Sequence, residues 1–278
     1  MAKKVWFITG ASKGFGKELT KAALEAGDTV VATARKPETI TKAVGENDRL
    51  LALPLDVTNE QQAKEAVAAA LAKFGQIDVL VNNAGQGLLG AVEEVSPAEV
   101  RANFAINVEG TLNVTRAVLP SMRSRRSGRI LNVSSVGGFT SWPGWGVYSS
   151  TKFMVEGLSE ALHAELKPLG IHVTIVEPGV FRTDFLDASS LQRSANVIAD
   201  YVGSSGAART WADGSHGAQP NDPAKGAAAM VKITQVENPP LRLQLGADCI
   251  AGIEQKLQQV KAELEQWREL AEATAFTN

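Results

Sequence analysis

Hydrophobic and polar residues alternate along the first 180 positions with two distinct periods. Short runs rich in Val, Ile and Leu are separated by longer segments whose apolar residues recur every three or four positions. The short runs predict strands and the longer segments predict helices. The predicted strands cover residues 5–9, 29–33, 50–55, 77–81, 129–133 and 172–176.

The intervening segments carry helix signals. Asn59 is a good N-cap for a helix over 59–74, Pro97 suits the first turn of a helix over 97–122, and Tyr148 begins a helical run to 166. We expect the second of these helices to be interrupted near 107–110. Strands spaced by helices predict an α/β fold of one domain over 1–278, a doubly wound Rossmann-type parallel sheet of about seven strands with helices on both faces.

The last hundred residues depart from this pattern. Residues 184–222 are rich in Ala, Ser and Gly and predict a long irregular segment, which we interpret as a substrate lid. A last strand is predicted over 241–245 and a C-terminal helix over 247–275. An apolar stripe on that helix can either pack on its own domain or contact another subunit, and it consists of Ile253, Leu257, Val260, Leu264 and Trp267.

Composition narrows the functional classes. The net charge of -2 and the pI near 6.0 give no general attraction to nucleic acid or to an anionic membrane. Cys249 is the single cysteine, so an intrachain disulfide is excluded, and the three histidines have no metal-ligand spacing. We therefore expect a cytoplasmic protein without a metal, a nucleic-acid partner or a membrane segment.

Three glycines mark the turn between the first strand and the first helix. Gly10, Gly14 and Gly16 would let the backbone approach a pyrophosphate at the positive end of the helix dipole. A nucleoside-triphosphatase loop is the rival, but it needs Gly at Ala11 and Ser or Thr at Glu18. The second strand ends without an acid and is followed by Arg35, which favours NADP(H) over NAD(H).

Tyr148 and Lys152 stand four residues apart and therefore share one helical face. A lysine ammonium within reach would favour the tyrosinate and lower the pKa of the phenol. Tyr148 would then be a usable proton donor or acceptor near neutral pH. Tyr and Lys at this spacing also occur on many solvated helices, so the pair gains meaning only from the other motifs.

Taken in order, the motifs resemble those of the classical short-chain dehydrogenases/reductases over residues 5 to 185. They are the glycine loop from Thr9 to Gly16, Asp56-Val57, Asn82-Asn83-Ala84-Gly85, Asn107, Ser134-Ser135, Tyr148 to Lys152, and Pro178-Gly179 with Thr183. The resemblance implies that Ser135, Tyr148 and Lys152 are catalytic and that Asn107 anchors a water in a proton relay. Ser135 fits better than Ser134, which is expected to point the other way.

The resemblance also implies a cofactor cleft. Asp56 and Val57 would hold the adenine edge, Thr183 the nicotinamide end, and Asn82 would help to line the cleft and to stabilise the central strand. Asn82, Asn83 and Ser134 could instead satisfy backbone groups at strand ends. The implied cofactor contacts are Gly10, Ser12, Lys13, Gly14, Phe15, Gly16, Arg35, Asp56, Val57, Asn83, Ala84, Gly85, Tyr148, Lys152, Pro178, Gly179, Val180 and Thr183.

The leading functional hypothesis is an NADP(H)-dependent oxidoreductase that interconverts a small-molecule carbonyl and a secondary alcohol. An NAD(P)-dependent epimerase or dehydratase and a non-catalytic dinucleotide-sensing regulator are the alternatives. We expect a homo-oligomer and an apolar substrate. The candidate pocket walls, which could equally be core or interface in the case of the tryptophans, are Val136, Phe139, Trp142, Trp145, Phe181, Phe185 and Leu186.

Overall fold

A computed structural model of the chain describes residues 3–276 and contains a seven-stranded parallel sheet. The strands in chain order are β1 (Val5–Thr9), β2 (Thr29–Ala34), β3 (Leu50–Pro54), β4 (Val79–Asn82), β5 (Gly87–Leu89), β6 (Gly128–Val133), β7 (Ile171–Pro178), β8 (Leu191–Arg193) and β9 (Arg242–Leu245). The main sheet has the order β3-β2-β1-β4-β6-β7-β9, and β5 and β8 form a small separate sheet. The predicted doubly wound fold is confirmed.

Helices cover both faces of the main sheet. They are α1 (Gly14–Glu25), α2 (Glu38–Val44), α3 (Glu60–Phe74), α4 (Pro97–Phe104), α5 (Gly110–Arg125), α6 (Gly146–Leu166), α7 (Ala207–Ser215), α8 (Pro223–Ile233), α9 (Ala247–Gln266) and α10 (Arg268–Glu272). Asn59 caps α3 by accepting a hydrogen bond from the backbone of Gln62. A π-helical turn, Ala105–Glu109, separates α4 from α5, so the predicted interruption is present.

The two sides of β1 face two separate cores. Phe7 belongs to a cluster with residues of α3, α5 and α6, whereas Trp6 and Ile8 belong to a cluster with residues of α1 and α8. All three side chains are completely buried. Alternation along one strand thus fixes a three-layer arrangement, because successive side chains of a strand point to opposite faces.

β1 is the strand at which the order of the sheet reverses, since it pairs in parallel with both β2 and β4. The loops that follow β1 and β4 therefore diverge and leave a crevice at the carboxyl edge of the sheet. The glycine loop and the segment from Asn83 to Gly85 occupy these two loops. The topology places the candidate residues on either side of one crevice.

The segment 184–222 is more regular than its composition predicts. It contains a 3-10 turn over Asp184–Leu186, the strand β8 and the helix α7. β8 pairs in parallel with β5, so that Gly87 is opposite Leu191. The physical reason is local burial: Leu186, Leu191 and Ala212 form a small core together with Leu89.

The C-terminal apolar stripe divides between two environments. Ile253 is buried with Val136 and Cys249, as expected for a helix packed on its own domain. Leu257 and the remaining stripe residues are exposed. Within residues 3–276, no helix combines the length and the apolar character that a membrane crossing requires.

Candidate active site

A cavity of about 1210 Å³ opens at the carboxyl edge of the sheet and gathers most of the predicted site residues. The predicted residues that line it are Gly10, Ser12, Lys13, Gly14, Phe15, Arg35, Asp56, Val57, Asn83, Ala84, Gly85, Ser135, Tyr148, Lys152, Pro178, Gly179, Val180 and Thr183. Gly16 and Asn107 do not line it. Residues at the ends of six strands and residues of α1 and α6 therefore share a single concave surface.

Ser135 and Tyr148 approach one another in this cavity. Ser135 follows β6, and its hydroxyl accepts a hydrogen bond of 3.0 Å from the backbone of Gly137. A Cβ placed on Gly137 would lie 3.4 Å from the Ser135 hydroxyl and 3.5 Å from the Tyr148 ring. Both side chains thus border the same small space, into which a substrate oxygen could reach.

Lys152 lies one turn of α6 after Tyr148, as the sequence predicts. Its Nζ donates a hydrogen bond of 2.9 Å to the carbonyl of Val133, the last residue of β6. The same nitrogen is 5.9 Å from the centre of the Tyr148 ring. The strand end therefore holds the ammonium beside the phenol in a fixed position.

The predicted lowering of the Tyr148 pKa is wrong for this arrangement. Burial raises the pKa of Tyr148 to about 12, and the nearby Ser135 hydroxyl only partly opposes that rise. Burial also lowers the pKa of Lys152 to about 8, against the influence of Glu156. Removal from water penalises a charge on either group, and this penalty is the largest influence on both pKa values. At neutral pH Tyr148 is a phenol, the form that donates a proton.

Asn107 lies in the π-helical turn and does not line the cavity itself. Its amide nitrogen donates to the carbonyl of Gln86 and to the Thr151 hydroxyl, each at 2.9 Å. Its amide oxygen accepts a hydrogen bond of 2.8 Å from the backbone of Gln86. The side chain thus joins the π turn to the loop after β4 and to α6, and the expected water relay stays a prediction.

The glycine loop is held by Asn83. The amide of Asn83 donates to the carbonyls of Thr9 at 2.9 Å and Gly10 at 3.1 Å. Gly10 has a φ of 64°, and a Cβ there would lie 2.9 Å from Ala84. A Cβ on Gly16 would collide with the Gly10 carbonyl, so Gly16 allows α1 to pack against the loop, and its contact with a cofactor stays a prediction.

The expectation that Asn82 lines the cleft is also wrong. Asn82 is buried in the sheet, and its amide donates to Asn132 at 2.8 Å and to the Thr115 hydroxyl at 2.9 Å. Asn132 in turn donates to the Ser159 hydroxyl. Asn82 instead links β4, β6 and α5 beneath the cavity, and its partners are side chains and not the backbone groups of the structural alternative.

Two cations line the cavity near the glycine loop: Lys13 lies in the loop after β1, and Arg35 follows β2. Lys13 and Arg35 both line it, and the positive charge of Arg35 is one of the influences that lower the pKa of Lys13, after burial. Lys13 also donates to the hydroxyl of Ser189 at 2.6 Å. Glycines that leave room for a pyrophosphate, followed by two cations, fit the phosphate groups of a dinucleotide.

Asp248 and Asn221 are site residues that the sequence reasoning missed. The Asp248 carboxylate accepts hydrogen bonds from the backbone of Val180 at 2.6 Å and from the Asn221 amide at 2.7 Å. It lies in the first turn of α9 and lines the cavity beside Gly179. An acid in the first turn of α9, two residues after Gly246, was the available signal for Asp248, although not for its partners.

The remaining wall of the cavity is aromatic. Trp145 contacts Tyr148, Phe185 and Trp211, with ring centres between 5.8 and 6.5 Å apart. All the predicted wall residues line the cavity except Phe139, which packs beside Cys249 and Ile253. The apolar side of the cavity therefore lies next to the hydroxyl of Tyr148, and Trp211 was not predicted to belong to it.

A buried pair of acids lies behind Lys152. Glu156 and Glu177 both approach Nε of Arg242, at 3.2 and 3.1 Å. Burial raises the pKa of each carboxyl, and Arg242 only partly opposes the rise. A Cβ on Gly138 would meet both the Glu156 side chain and the Ser134 hydroxyl, so Ser134 faces this cluster while Ser135 faces the cavity. The predicted opposite orientation of the two serines agrees with this arrangement.

Comparison with known proteins gives a consistent assignment. Residues 4–194 match the family model described as short chain dehydrogenase. Oxidoreductase BOA17 of Botryotinia fuckeliana is 39% identical over 98% of this chain and 99% of its own length. The 3-ketodihydrosphingosine reductase of Bacteroides thetaiotaomicron is 38% identical over 88% of this chain and 89% of its own.

Solved structures agree with the fold. A short-chain dehydrogenase from Streptomyces avermitilis is 43% identical, with a TM-score of 0.92 and coverage of 99% of both chains. A 3-ketoacyl-(acyl-carrier-protein) reductase from Brucella melitensis, complexed with NADH, is 30% identical with a TM-score of 0.75 over 88% of this chain and 97% of its own. A serine dehydrogenase complexed with NADP+ is 28% identical with a TM-score of 0.75 over 87% and 94%.

Proposed function

This chain belongs to the short-chain dehydrogenase/reductase family, and we propose that it interconverts an apolar ketone and its secondary alcohol with NADP(H). The observation that carries the proposal is the convergence of Ser135, Tyr148 and Lys152 on a cavity that also contains the glycine loop. Carbonyl reduction requires a proton donor, a hydrogen-bond donor to the developing oxyanion, and a loop that binds the dinucleotide.

Each of the three side chains has a distinct role in this proposal. The Ser135 hydroxyl donates a hydrogen bond to the substrate oxygen and stabilises the negative charge that builds there. The Tyr148 phenol transfers its proton to the same oxygen, and Lys152 supplies positive charge beside the phenolate that is left. When bound, the nicotinamide supplies the hydride for reduction, and alcohol oxidation is the reverse.

The preference for NADP(H) rests on charge. Lys13 in the glycine loop and Arg35 after β2 both line the cavity, and β2 ends at Ala34, where an acid would repel a 2′-phosphate. An arginine can bind a phosphate through two parallel hydrogen bonds. Both kinds of dinucleotide occur among the similar structures, so the argument depends on these residues of this chain.

The preference for an apolar substrate rests on the aromatic wall. A ketone seated against Trp145, Phe185 and Trp211 would have its oxygen directed toward Tyr148. A relative of this chain is a 3-ketodihydrosphingosine reductase, whose name denotes a ketone substrate. We also propose that residues 184–222 act as the substrate cover, since Phe185, Leu186 and Trp211 of that segment line the cavity.

The experiment is a ketone screen followed by NADPH fluorescence, with Tyr148→Phe as the test variant. We expect the variant to lose about 10²–10⁴ in kcat while it still binds NADPH, because only the transferable proton is removed. Tyr201→Phe is the matched control, since Tyr201 is the other tyrosine of the chain and its hydroxyl binds Glu93 at the surface. Wild-type turnover by Tyr148→Phe would refute the role of Tyr148.

A further inference from the structure

The long C-terminal helix α9 extends away from the body of the protein and has an apolar stripe along one face. From Leu257 to Phe276 every residue is exposed, whereas Ile253 is buried against the domain. The exposed fractions of Leu257, Val260, Leu264 and Trp267 are 53, 44, 54 and 58%. A solvated helix with an uncovered apolar face gains little from its own hydrogen bonds, and a partner surface would stabilise it.

The stripe has the spacing of a coiled-coil seam. Its members follow one another at intervals of four and three residues from Ile253 to Trp267, which is a seven-residue repeat. Charged residues border the seam on both sides. Glu254 and Lys261 flank one side, and Lys256 and Glu263 flank the other.

These flanking charges have no ionic partner within their own subunit. Among residues 3–276, Glu254, Lys256, Lys261 and Glu263 form no salt bridge. Opposite charges on one side are seven residues apart, which is roughly 10 Å along a helix and too far for a direct ion pair. They are therefore available to a second helix.

We propose that α9 pairs in an antiparallel manner with α9 of a second copy of this chain, with the two-fold axis between Gln258 and Gln259. In this register Leu257 packs against Val260 of the partner subunit, and symmetry repeats the contact. Leu264 lies beside the partner's Ile253, at the edge of the domain of the partner subunit. The seam thereby covers the exposed apolar stripe.

Charge complementarity selects this register. Lys256 faces Glu263 of the partner subunit, Glu254 faces the partner's Lys261, and symmetry doubles both pairs. A shift of one heptad toward the C-terminus would place Lys261 opposite the partner's Lys261 and Glu263 opposite the partner's Glu263, so that like charges would repel. A parallel pair would oppose Lys256 to the partner's Lys261, so the antiparallel register alone matches every flanking charge.

A membrane surface is a weaker occupant for the same stripe. Residues 247–276 contain six acidic and three basic side chains. Helices that lie on anionic membranes carry basic residues on their polar face, whereas this one would be repelled. The self-pairing proposal does not depend on the chemistry of the cavity.

Sedimentation velocity on the full chain at low salt tests the proposal. We expect the wild type to form an assembly of at least twice the mass of the Leu257→Glu variant, because that substitution buries a charge in the seam. Gln255→Glu is the control, since that exposed position points away from the seam and should sediment as the wild type does. Circular dichroism should show that both variants are folded, because both positions are exposed. A monomeric wild type, or a Leu257→Glu variant that sediments as the wild type does, would overturn the proposal.

Charge reversal tests the register. Lys256→Glu should weaken dimerisation about tenfold, because two attractive pairs become repulsive, and added Glu263→Lys should restore it. In a parallel pair, Lys256→Glu would instead strengthen the dimer, which would refute the antiparallel register. A monomeric chain that binds phosphatidylglycerol vesicles through α9 would refute self-pairing altogether.

Discussion

The carboxylate of Glu94 lies 2.8 Å from the guanidinium of Arg209, although 115 positions separate the two residues in the chain. Glu94 also accepts hydrogen bonds from the backbone of Ala91 at 2.7 Å and Ile198 at 2.9 Å. Burial alone raises the pKa of Glu94, but these amide bonds and Arg209 outweigh it and lower the pKa to about 2. One buried carboxylate thus fastens the segment 184–222 to the body of the domain.

Replacing Glu94 by Ala should destabilise the protein by about 3–5 kcal/mol, because Arg209 would keep a charge without its buried partner. The substrate KM should rise more than kcat falls, since the covering segment loses its attachment while Tyr148 keeps its position. Urea unfolding and ketone kinetics provide the two measurements.

Glu93→Ala is the matched control for that variant. Glu93 is exposed and accepts a hydrogen bond from the Tyr201 hydroxyl at the surface. Exposed polar pairs contribute less than about 1 kcal/mol, so this variant should be close to wild type. Equal effects of the two substitutions would show that Glu94 is not a special anchor.

Arg35→Asp should reverse the cofactor preference. The substitution removes a cation that can bind a 2′-phosphate and adds an acid that accepts hydrogen bonds from the ribose of NAD(H). We expect the ratio of the NADPH to the NADH dissociation constants to rise by at least about tenfold. Arg49→Asp is the control, since Arg49 does not line the cavity. An unchanged ratio in Arg35→Asp would contradict the assignment of NADP(H).

Glu156→Gln should change how stability depends on pH. The folded state raises the pKa of Glu156 above 4.5, so above that pH it retains a proton that the unfolded chain has released. This group therefore lowers stability as the pH rises toward neutrality. The difference in Tm between Glu156→Gln and wild type should grow in favour of the variant from about pH 5 to about pH 8.

Glu160→Gln separates this effect from the simple loss of an ion pair. Glu160 also pairs with Arg242 but its side chain is 55% exposed, so it lacks the cost of burying a charge. Its difference in Tm from wild type should not grow in the same direction over this pH range. A constant difference for Glu156→Gln would mean that its carboxyl titrates alike in both states.

Two glycine substitutions should have opposite effects. Gly16→Ala places a Cβ against the carbonyl of Gly10, so it should cost about 1–3 kcal/mol of stability and weaken dinucleotide binding. Gly157→Ala lies on the exposed side of α6, where a Cβ meets nothing within 4 Å, and should stabilise the protein by about 0.5–1 kcal/mol. Thermal unfolding measures both, and a stabilising Gly16→Ala would refute the close packing of α1.

Much of the fold follows from local signals in the sequence. The apolar runs at β1, β2 and β6, the cap at Asn59 and the proline Pro97 each specify an element without reference to the rest of the chain. The strand ends then bring Asn83 and Ser135 to the same edge of the sheet, because parallel strands share one carboxyl edge. The predicted strand over 77–81 is displaced to Val79–Asn82, since only those residues pair with β6.

The site residues and properties that the sequence did not predict share one physical origin. They depend on contacts between residues that are far apart in the chain. Asp248 is 68 positions from Val180, and Glu94 is 115 positions from Arg209, so no local pattern announces either pair. The sign of the Tyr148 pKa shift depends on how completely the phenol is buried, which spacing within α6 does not reveal. The order within 184–222 likewise depends on the pairing of β8 with β5.

The π-helical turn at Ala105–Glu109 sets the rotational phase between α4 and α5. Asn107 in the turn donates a hydrogen bond to the Gln86 carbonyl, while Thr115 in α5 receives a hydrogen bond from Asn82. Because each residue of an α-helix advances the chain by about 100°, deleting one residue here would swing α5 around its axis. The π-helical turn therefore allows one continuous helical segment, from α4 to α5, to place Asn107 and Thr115 in two polar networks on different sides of the segment.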